Sequence, residues 1–539
     1  SATFLDGSTL NVSYVNSTIL VPTQDAIQEF RVATNAVSPE FGRFAGGVVN
    51  LTSRGGTNAF HGAVYEYLRN RSLNANNFFN NRSGLTRPPL VQNQYGANLG
   101  GPIRKEKTFF FFSYEGFKYR QGIPTLTTVP TAAMRSGDFS AAGLPRIYDP
   151  LTVCGKYNNP ACANDANGNP IYVRQPFADN KIPTNRFDAT ANLLKNFWAL
   201  PNLSGLVNNF AANSRVGGDQ YQINARGDHV ISDKQRLFGR YTRWIGNTIA
   251  NDPFQNKTAG VSAYYRAQHV VIGDTYTFSN NTVGDFRVSY LRFPFGFTPP
   301  STGADLAQFG TAYAALQNQV TFRQFPGPVV AGMFSFGGLG TTVRNVNNVY
   351  SASGNVTRTA NRHTLKFGVD FRNIQWNYGQ TNTASGTFSF DNRFTAQNPL
   401  APGTTGFPYA SFLLGFAASG SATEINLVGQ RQHYRALYVA DTFQATTKLT
   451  LNFGVRWDYP GEFFEARDRA TVLLPDAPDA LSQKTGLQLK GQLALVNSEL
   501  YKDRTIHPNR KNMFAPRAGI AYRWKDKTVV RLGYGLSYL

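Results

Sequence analysis

The sequence lacks any uninterrupted stretch of about eighteen apolar residues, so no part of it can cross a bilayer as a helix. It lacks a leader as well. Ser1-Ala2-Thr3-Phe4 offers neither a basic start nor an apolar run, and an exported protein needs one, so the natural chain is expected to begin upstream. The residues that catalysis draws on are thinly spread. Six histidines, His61, His229, His269, His363, His433 and His507, form no HExxH pair and no cluster. No G-x-S-x-G elbow or phosphate-binding Walker loop occurs. Asp165-Ala166-Asn167-Gly168-Asn169 has the look of a calcium loop, but Pro176 stands where its closing glutamate belongs, and the stretch reads as a turn. No enzyme, cofactor or metal site is expected.

What is present points to strands. The chain has 539 residues, 41% of them hydrophobic, with 26 Tyr, 42 Phe and 50 Gly. Mean hydropathy is only −0.32. A transmembrane β-barrel reconciles many aromatics with low hydropathy, because its strands alternate lipid-facing and lumen-facing residues. The net charge of +21 suggests nucleic acid at first. Lys and Arg are nevertheless spread through strands and turns, with no zinc-finger or RNP-type spacing, so no nucleic-acid partner is expected. The readings left open are contact with lipopolysaccharide phosphates, a cationic lumen, and a partial chain whose acidic share lies elsewhere.

The strands carry a period of two. Leu449, Leu451, Phe453, Val455, Trp457 and Tyr459 share one face; Thr450, Asn452, Gly454, Arg456 and Asp458 share the other. Leu365, Phe367, Val369 and Phe371 oppose Lys366, Gly368, Asp370 and Arg372 in the same way. Charges inside a soluble sandwich would cost several kcal/mol each, whereas a wet lumen accepts them. The apolar face is therefore expected toward lipid, with Asp370 and Asp458 pairing with Arg372 and Arg456 inside. Connections are sorted by length. Short turns such as Arg104-Lys105-Glu106-Lys107 and Lys525-Asp526-Lys527 alternate with long loops at 71–93, 122–218, 247–263, 296–347, 379–430 and 460–512. Such sorting is the signature of outer-membrane barrels.

One stretch reads differently. Between Ala26 and Asn70, Ile27–Val32 is extended, Ser38-Pro39-Glu40-Phe41-Gly42-Arg43 turns, and Gly46-Gly47 precedes the strand-like Val48-Val49-Asn50-Leu51-Thr52. This succession resembles the end of the plug domain of TonB-dependent outer-membrane transporters running into the first barrel strand. "SPEFGRFAGGVVNLTSRGGTN" and "VPTAAMRSGDF" (Val129–Phe139) narrow the resemblance to the Oar-like branch. It implies an all-β fold: a partial plug over residues 1–58, then an incomplete transmembrane antiparallel barrel over 59–539, with roughly thirteen of about 22 strands. The chain is then expected to stop inside the barrel at Leu539. The implied function is energy-coupled uptake of a large solute across the outer membrane. The implied partners are TonB and its inner-membrane energising proteins, engaged through a segment upstream of residue 1, together with outer-membrane lipid and lipopolysaccharide. A structural or adhesive surface protein and a passive porin are the alternatives.

Within this frame Glu40, Arg43, Gly42, Gly46 and Gly47 are the candidate plug–barrel contacts. Glu40 and Arg43 are suited to buried ion pairs, and the glycines to positive φ and close approach. Phe30, Val32, Phe41 and Phe44 are expected to bury inside the barrel. Cys154 and Cys162, the only cysteines, lie close together in the longest loop; an oxidising compartment favours a disulfide between them over a zinc site short of ligands. That loop, with a short helix expected at Ala189–Trp198, either contacts a ligand or only covers the barrel mouth.

Overall fold

The computed structural model describes residues 2–12, 17–34, 38–43, 46–76, 78–82, 86–337, 340–424, 427–507 and 509–538. Strands dominate. Thirteen form one antiparallel path in which every strand pairs with its neighbours in sequence: His61–Asn70, Leu90–Arg104, Thr108–Thr127, Phe210–Ser232, Gln235–Ile249, Ser262–Ser279, Thr282–Thr298, Thr342–Ala360, His363–Thr381, Val428–Gln444, Leu449–Tyr459, Met513–Lys525 and Thr528–Gly535. Such a meander follows from the tight turns, because two or three residues can only return the chain beside itself. Several of these hairpins carry a register shift next to the turn, as between Pro102 and Arg104 or Val230 and Ser232.

The period-2 pattern sorts the faces of this sheet. Phe453, Phe367, Phe371 and Leu437 remain exposed on the outer side. Arg456, Asp458 and Asp370 on the same strands are buried on the inner side. Trp457 and Tyr459 stack with ring centroids 6.0 Å apart on the outer face, as a girdle residue pair does at a membrane boundary. Phe210–Ser232 is 23 residues long, where about ten residues cross a bilayer, so the strands stand well above the membrane. The loop borders accordingly fall inside the expected ones, at 71–89, 128–209, 250–261, 299–341 and 382–427. Gly217-Gly218, inside the loop expected over 122–218, lies within a ladder. A Cβ on Gly217 would stand 2.1 Å from the carbonyl oxygen of Tyr119, so the residue serves close strand approach.

Residues 2–53 form a separate four-stranded sheet in the spatial order Ser8–Thr9, Ala2–Leu5, Val48–Ser53, Ile27–Ala33. Ala2–Leu5 runs parallel to Val48–Ser53 and antiparallel to Ser8–Thr9 through the turn Asp6-Gly7, both residues at positive φ. Ser17–Thr18 pairs with Asn11–Val12. This small sheet sits on the inner face of the large one. Leu5, Leu10, Val12 and Leu20 pack against Leu291, Phe293, Ile374 and Tyr434. Phe30 and Val32, expected to be buried, are exposed: Ile27–Ala33 is the edge strand of the small sheet, and both of its faces are largely uncovered. Phe41 does pack, 5.1 Å from Phe4. Phe44 and Leu539 lie outside the described residues.

The largest apolar core is outside the barrel. Trp198, Phe139 and Met134 from 128–209, Phe309, Tyr313 and Phe336 from 299–341, and Tyr409, Phe412 and Leu413 from 382–427 share one cluster. Backbone hydrogen bonds join the same loops. Gly327–Val330 pairs in parallel with Thr387–Phe390, and the Asp188 N–H donates to the Leu413 carbonyl at 2.8 Å. The expected helix is present as Ala189–Leu194 continued by a tighter turn, Lys195–Phe197, with Asp188 capping it. Cys154 and Cys162 are joined by a disulfide in this cap, with Cα atoms 4.9 Å apart. Asp165 accepts hydrogen bonds from the backbone N–H groups of Asn167 and Asn169, which closes the Asp165–Asn169 turn.

Candidate functional site

Two of the places where the inner sheet is held to the wall are built from buried charge. The first is the Asp6-Gly7-Ser8 turn. Asp6 accepts from Arg240 Nε at 2.6 Å and from Arg226 Nη1 at 3.3 Å, and its own sheet adds Ser53 N–H at 2.9 Å. Arg240 Nη2 also meets His269 Nδ1 at 3.0 Å. A guanidinium can only donate, so Nδ1 accepts and Nε2 carries the hydrogen that goes to Ser8 Oγ, 3.0 Å away. Ser8 Oγ in turn donates to Ser289 Oγ at 2.6 Å. Four side chains of the wall thus read one turn.

The second place receives the segment Ser38–Arg43. Arg456 has no exposed surface, and its five donor positions are shared among five acceptors. Nε donates to Asp458 at 2.8 Å. Nη2 donates to Asp370 at 3.2 Å and to the Tyr434 hydroxyl at 2.8 Å. Nη1 donates to the carbonyls of Pro39 and Glu40, both at 3.0 Å. Tyr434 completes the circuit by donating to Asp458. Arg372 holds Asp370 from the other side with two hydrogen bonds, 3.0 and 2.8 Å. Arg517 donates to the carbonyls of Ser38 and Phe41. The wall therefore grips the segment chiefly by its backbone, through the guanidinium groups of Arg456 and Arg517; that of Arg456 is aimed by Asp458 on its own strand and Asp370 two strands away.

The residues singled out from sequence fall as follows. Glu40 forms an ion pair with Lys366, and both side chains are about a quarter exposed. Arg43 places its guanidinium 5.2 Å from the Tyr434 ring centroid. Gly42 is buried, and a Cβ there would stand 2.4 Å from Arg456 Nε. A Cβ on Gly47 would come 3.1 Å from the Ala33 carbonyl oxygen. Gly46 is exposed. Gly42 and Gly47 do not take positive φ; Arg43 does, at 59°. Crowding against the wall and the adjacent strand explains these two glycines, and the turning falls to the arginine. Asp370 pairs with Arg372, and Asp458 with Arg456.

Asp6, Ser8, Arg226, Arg240 and His269 were not evident in the sequence. Asp6-Gly7 between two short extended pieces is a hairpin signal, and it could have flagged the turn. Nothing in the sequence connects it to His269. Among the described residues no group of three or more metal-ligating side chains occurs.

A meandering antiparallel sheet with lipid-facing apolar residues, an ionic interior and a small sheet seated in it defines an outer-membrane barrel protein with an inner domain. The chain belongs to the outer membrane beta barrel domain family, whose model matches residues 52–539. It is 37% identical over 92 residues to the TonB-dependent transporter Oar of Myxococcus xanthus, a match covering 16% of this chain and 9% of that protein. Among solved structures it resembles FpvAI in its complex with pyocin S2, with a TM-score of 0.50 and 10% identity, covering 99% of this chain and 51% of that one. It is also similar to the ferric-catecholate import receptor Fiu from E. coli K12, with a TM-score of 0.46 and 12% identity, covering 99% and 62%. The chain thus spans a tenth or less of the curated relative and about half of the FpvAI chain. Its fold is that of an outer-membrane barrel with an inner domain, and its place is the outer membrane.

Proposed function

We propose that the protein is a gated transporter, in which residues 1–58 are the end of a plug and 59–539 part of the barrel wall. The observation that carries this reading is the double seat of the inner sheet. A passive porin has no use for a domain clamped in its lumen by Arg240 and Arg456. The cargo is a large solute, admitted through the outer loops. The energy comes from TonB and its inner-membrane partners. The barrel's exterior meets lipid and lipopolysaccharide. The relative Oar is a TonB-dependent transporter by name, which favours the same reading here.

The test uses the full-length protein in planar bilayers. Intact protein should be nearly silent, and deletion of the plug should give large, steady conductance. Equal conductance from both would favour a porin. A structural surface protein is the second reading, favoured by the packed cap over the barrel mouth. It prevails if neither form conducts and solute uptake is indifferent to loss of TonB.

A further inference from the structure

The inner wall is zoned by chemistry. Its lower part, where the inner sheet is held, is crowded with ions: Arg226, Arg240, Asp370, Arg372, Arg456 and Asp458. Higher up, strand register lays down two rows of a different kind. In one, Tyr67 lies opposite Gln94, Gln94 opposite Phe117, and Phe117 opposite Gln220. In the other, Tyr65 lies opposite Gly96, Gly96 opposite Glu115, Glu115 opposite Gln222, and Gln222 opposite Trp244. All share the face that carries Arg226 and Arg240, so all point inward. The rows border a cavity of about 620 Å³, roofed on one side by Val21–Asp25 of the inner sheet's loop.

The polar groups here are ordered. The Tyr65 hydroxyl donates to Glu115 Oε2 at 2.8 Å, and Gln94 Nε2 donates to the same oxygen at 3.2 Å. Tyr65 lies across Gly96, where a Cβ would stand 2.4 Å from its hydroxyl oxygen. Trp244 Nε1 donates to Gln220 Oε1 at 3.2 Å. Gln222 fastens the loop, accepting from Thr23 N–H at 2.7 Å and donating to the Val21 carbonyl at 3.1 Å. The cavity also lacks something. The chain has 53 Lys and Arg, yet none is among the described residues lining it, while Asp25 and Glu115 are.

We infer that this cavity binds a neutral, polyhydroxylated solute, an oligosaccharide segment, through aromatic faces and side-chain amides. The inference rests on the transport reading for its purpose, but binding itself needs no TonB. An anionic solute would meet two carboxylates and no cation, and would lose its hydration uncompensated. Amides outnumber carboxylates in the lining, where Gln24, Gln94, Gln220 and Gln222 stand beside Asp25 and Glu115; a cationic solute is the competing ligand, and hexalysine in the experiment decides against or for it. Amides both donate and accept, as sugar hydroxyls do. The negative faces of Tyr65, Tyr67 and Trp244 suit the C–H face of a pyranose ring.

The experiment measures equilibrium binding to purified full-length protein in detergent. The probes are maltohexaose, cellohexaose, xylohexaose and mannohexaose, their sulfated forms, and hexalysine. At least one neutral hexasaccharide should bind, its sulfated form at least about tenfold more weakly. Tyr67→Ala and Trp244→Ala should each weaken the neutral ligand about tenfold. Heat-modifiable migration checks that each variant keeps its barrel, and Gln94→Ala provides a third variant with little packing at stake. The inference fails if no neutral probe binds, if a sulfated probe or hexalysine binds best, or if the variants leave affinity unchanged. None of these failures touches the conductance test, which judges the transport reading separately.

Discussion

Arg456→Ala is the sharpest test of the seat. The side chain is fully buried and donates to Asp458, Asp370, Tyr434 and the carbonyls of Pro39 and Glu40. Its removal leaves Asp458 with the Tyr434 hydroxyl and Asp370 with Arg372, so neither carboxylate is bare. Both nevertheless lose a buried cationic partner, and two carbonyls lose charged donors. Breaking a buried pair from one side costs about 3–5 kcal/mol. The lower figure is the better guide here, because Arg372 and Arg517 remain. If about 3 kcal/mol falls on local opening of Ser38–Arg43, the opened population rises by about a hundredfold. Hydrogen exchange on the full-length protein reads this directly, at the Phe41 amide that donates to the Ser38 carbonyl. The barrel should keep its heat-modifiable migration, and bilayer recordings should show intermittent conductance. Arg456→Lys should recover little, since an ammonium cannot fork to acceptors on three sides. Unchanged exchange over 38–43 in the alanine variant would refute the claim that this arginine holds the segment.

Four further outcomes are expected. Gly42→Ala puts a methyl against Arg456 and should cost about 1–3 kcal/mol, seen as faster exchange over the same segment with an intact barrel. Trp198→Ala removes the centre of the cap, where the indole meets Phe336 at 4.5 Å and Phe412 at 5.2 Å; a loss of about 3–5 kcal/mol should make 128–209, 299–341 and 382–427 protease-sensitive together. Non-reducing peptide mapping of membrane-purified protein should yield one linked Cys154–Cys162 peptide, and two free thiols would contradict the structure. Burial alone would raise the Glu465 carboxyl, but hydrogen bonds from Arg469 and from the N–H groups of Arg469, Gly429 and Arg467 hold it at about 2. Its folded value lies below its ordinary 4.5, so its stabilisation is complete above that pH and is lost as pH falls toward 2. Proteolysis of 460–512 should therefore rise through that window in the native protein, with a flatter response in Glu465→Gln.

The barrel was legible because its physics is local. Alternation over Leu449–Tyr459 needs only eleven residues, and a turn such as Lys525-Asp526-Lys527 needs three. The direction of the charges followed from the cost of burying them, and the pairs at Asp370 and Asp458 lay two residues from their partners. The seat was not legible. Arg456 meets carbonyls more than four hundred residues away, and a carbonyl acceptor leaves no mark on residue identity. Gly42 looked like a turn glycine, although a guanidinium is what crowds it. Phe30 and Val32 alternate as buried residues do, and only the order of strands in the small sheet reveals an edge. The cap was hidden for a related reason. Trp198, Phe309 and Tyr409 come from three loops with no shared period, and nothing local announces that they meet.

That shared core limits how the mouth of the barrel can change over evolutionary time. Surface loops commonly drift one by one, because each answers only to solvent. Here the inward residues of three loops form a single jigsaw, so a large change in one demands matching changes in the other two. A chimera that exchanges 128–209 alone would strand Phe336 and Phe412 without their indole neighbour. Diversity in this part of the protein should therefore collect on the outward-facing positions, with the three loops inherited as a unit.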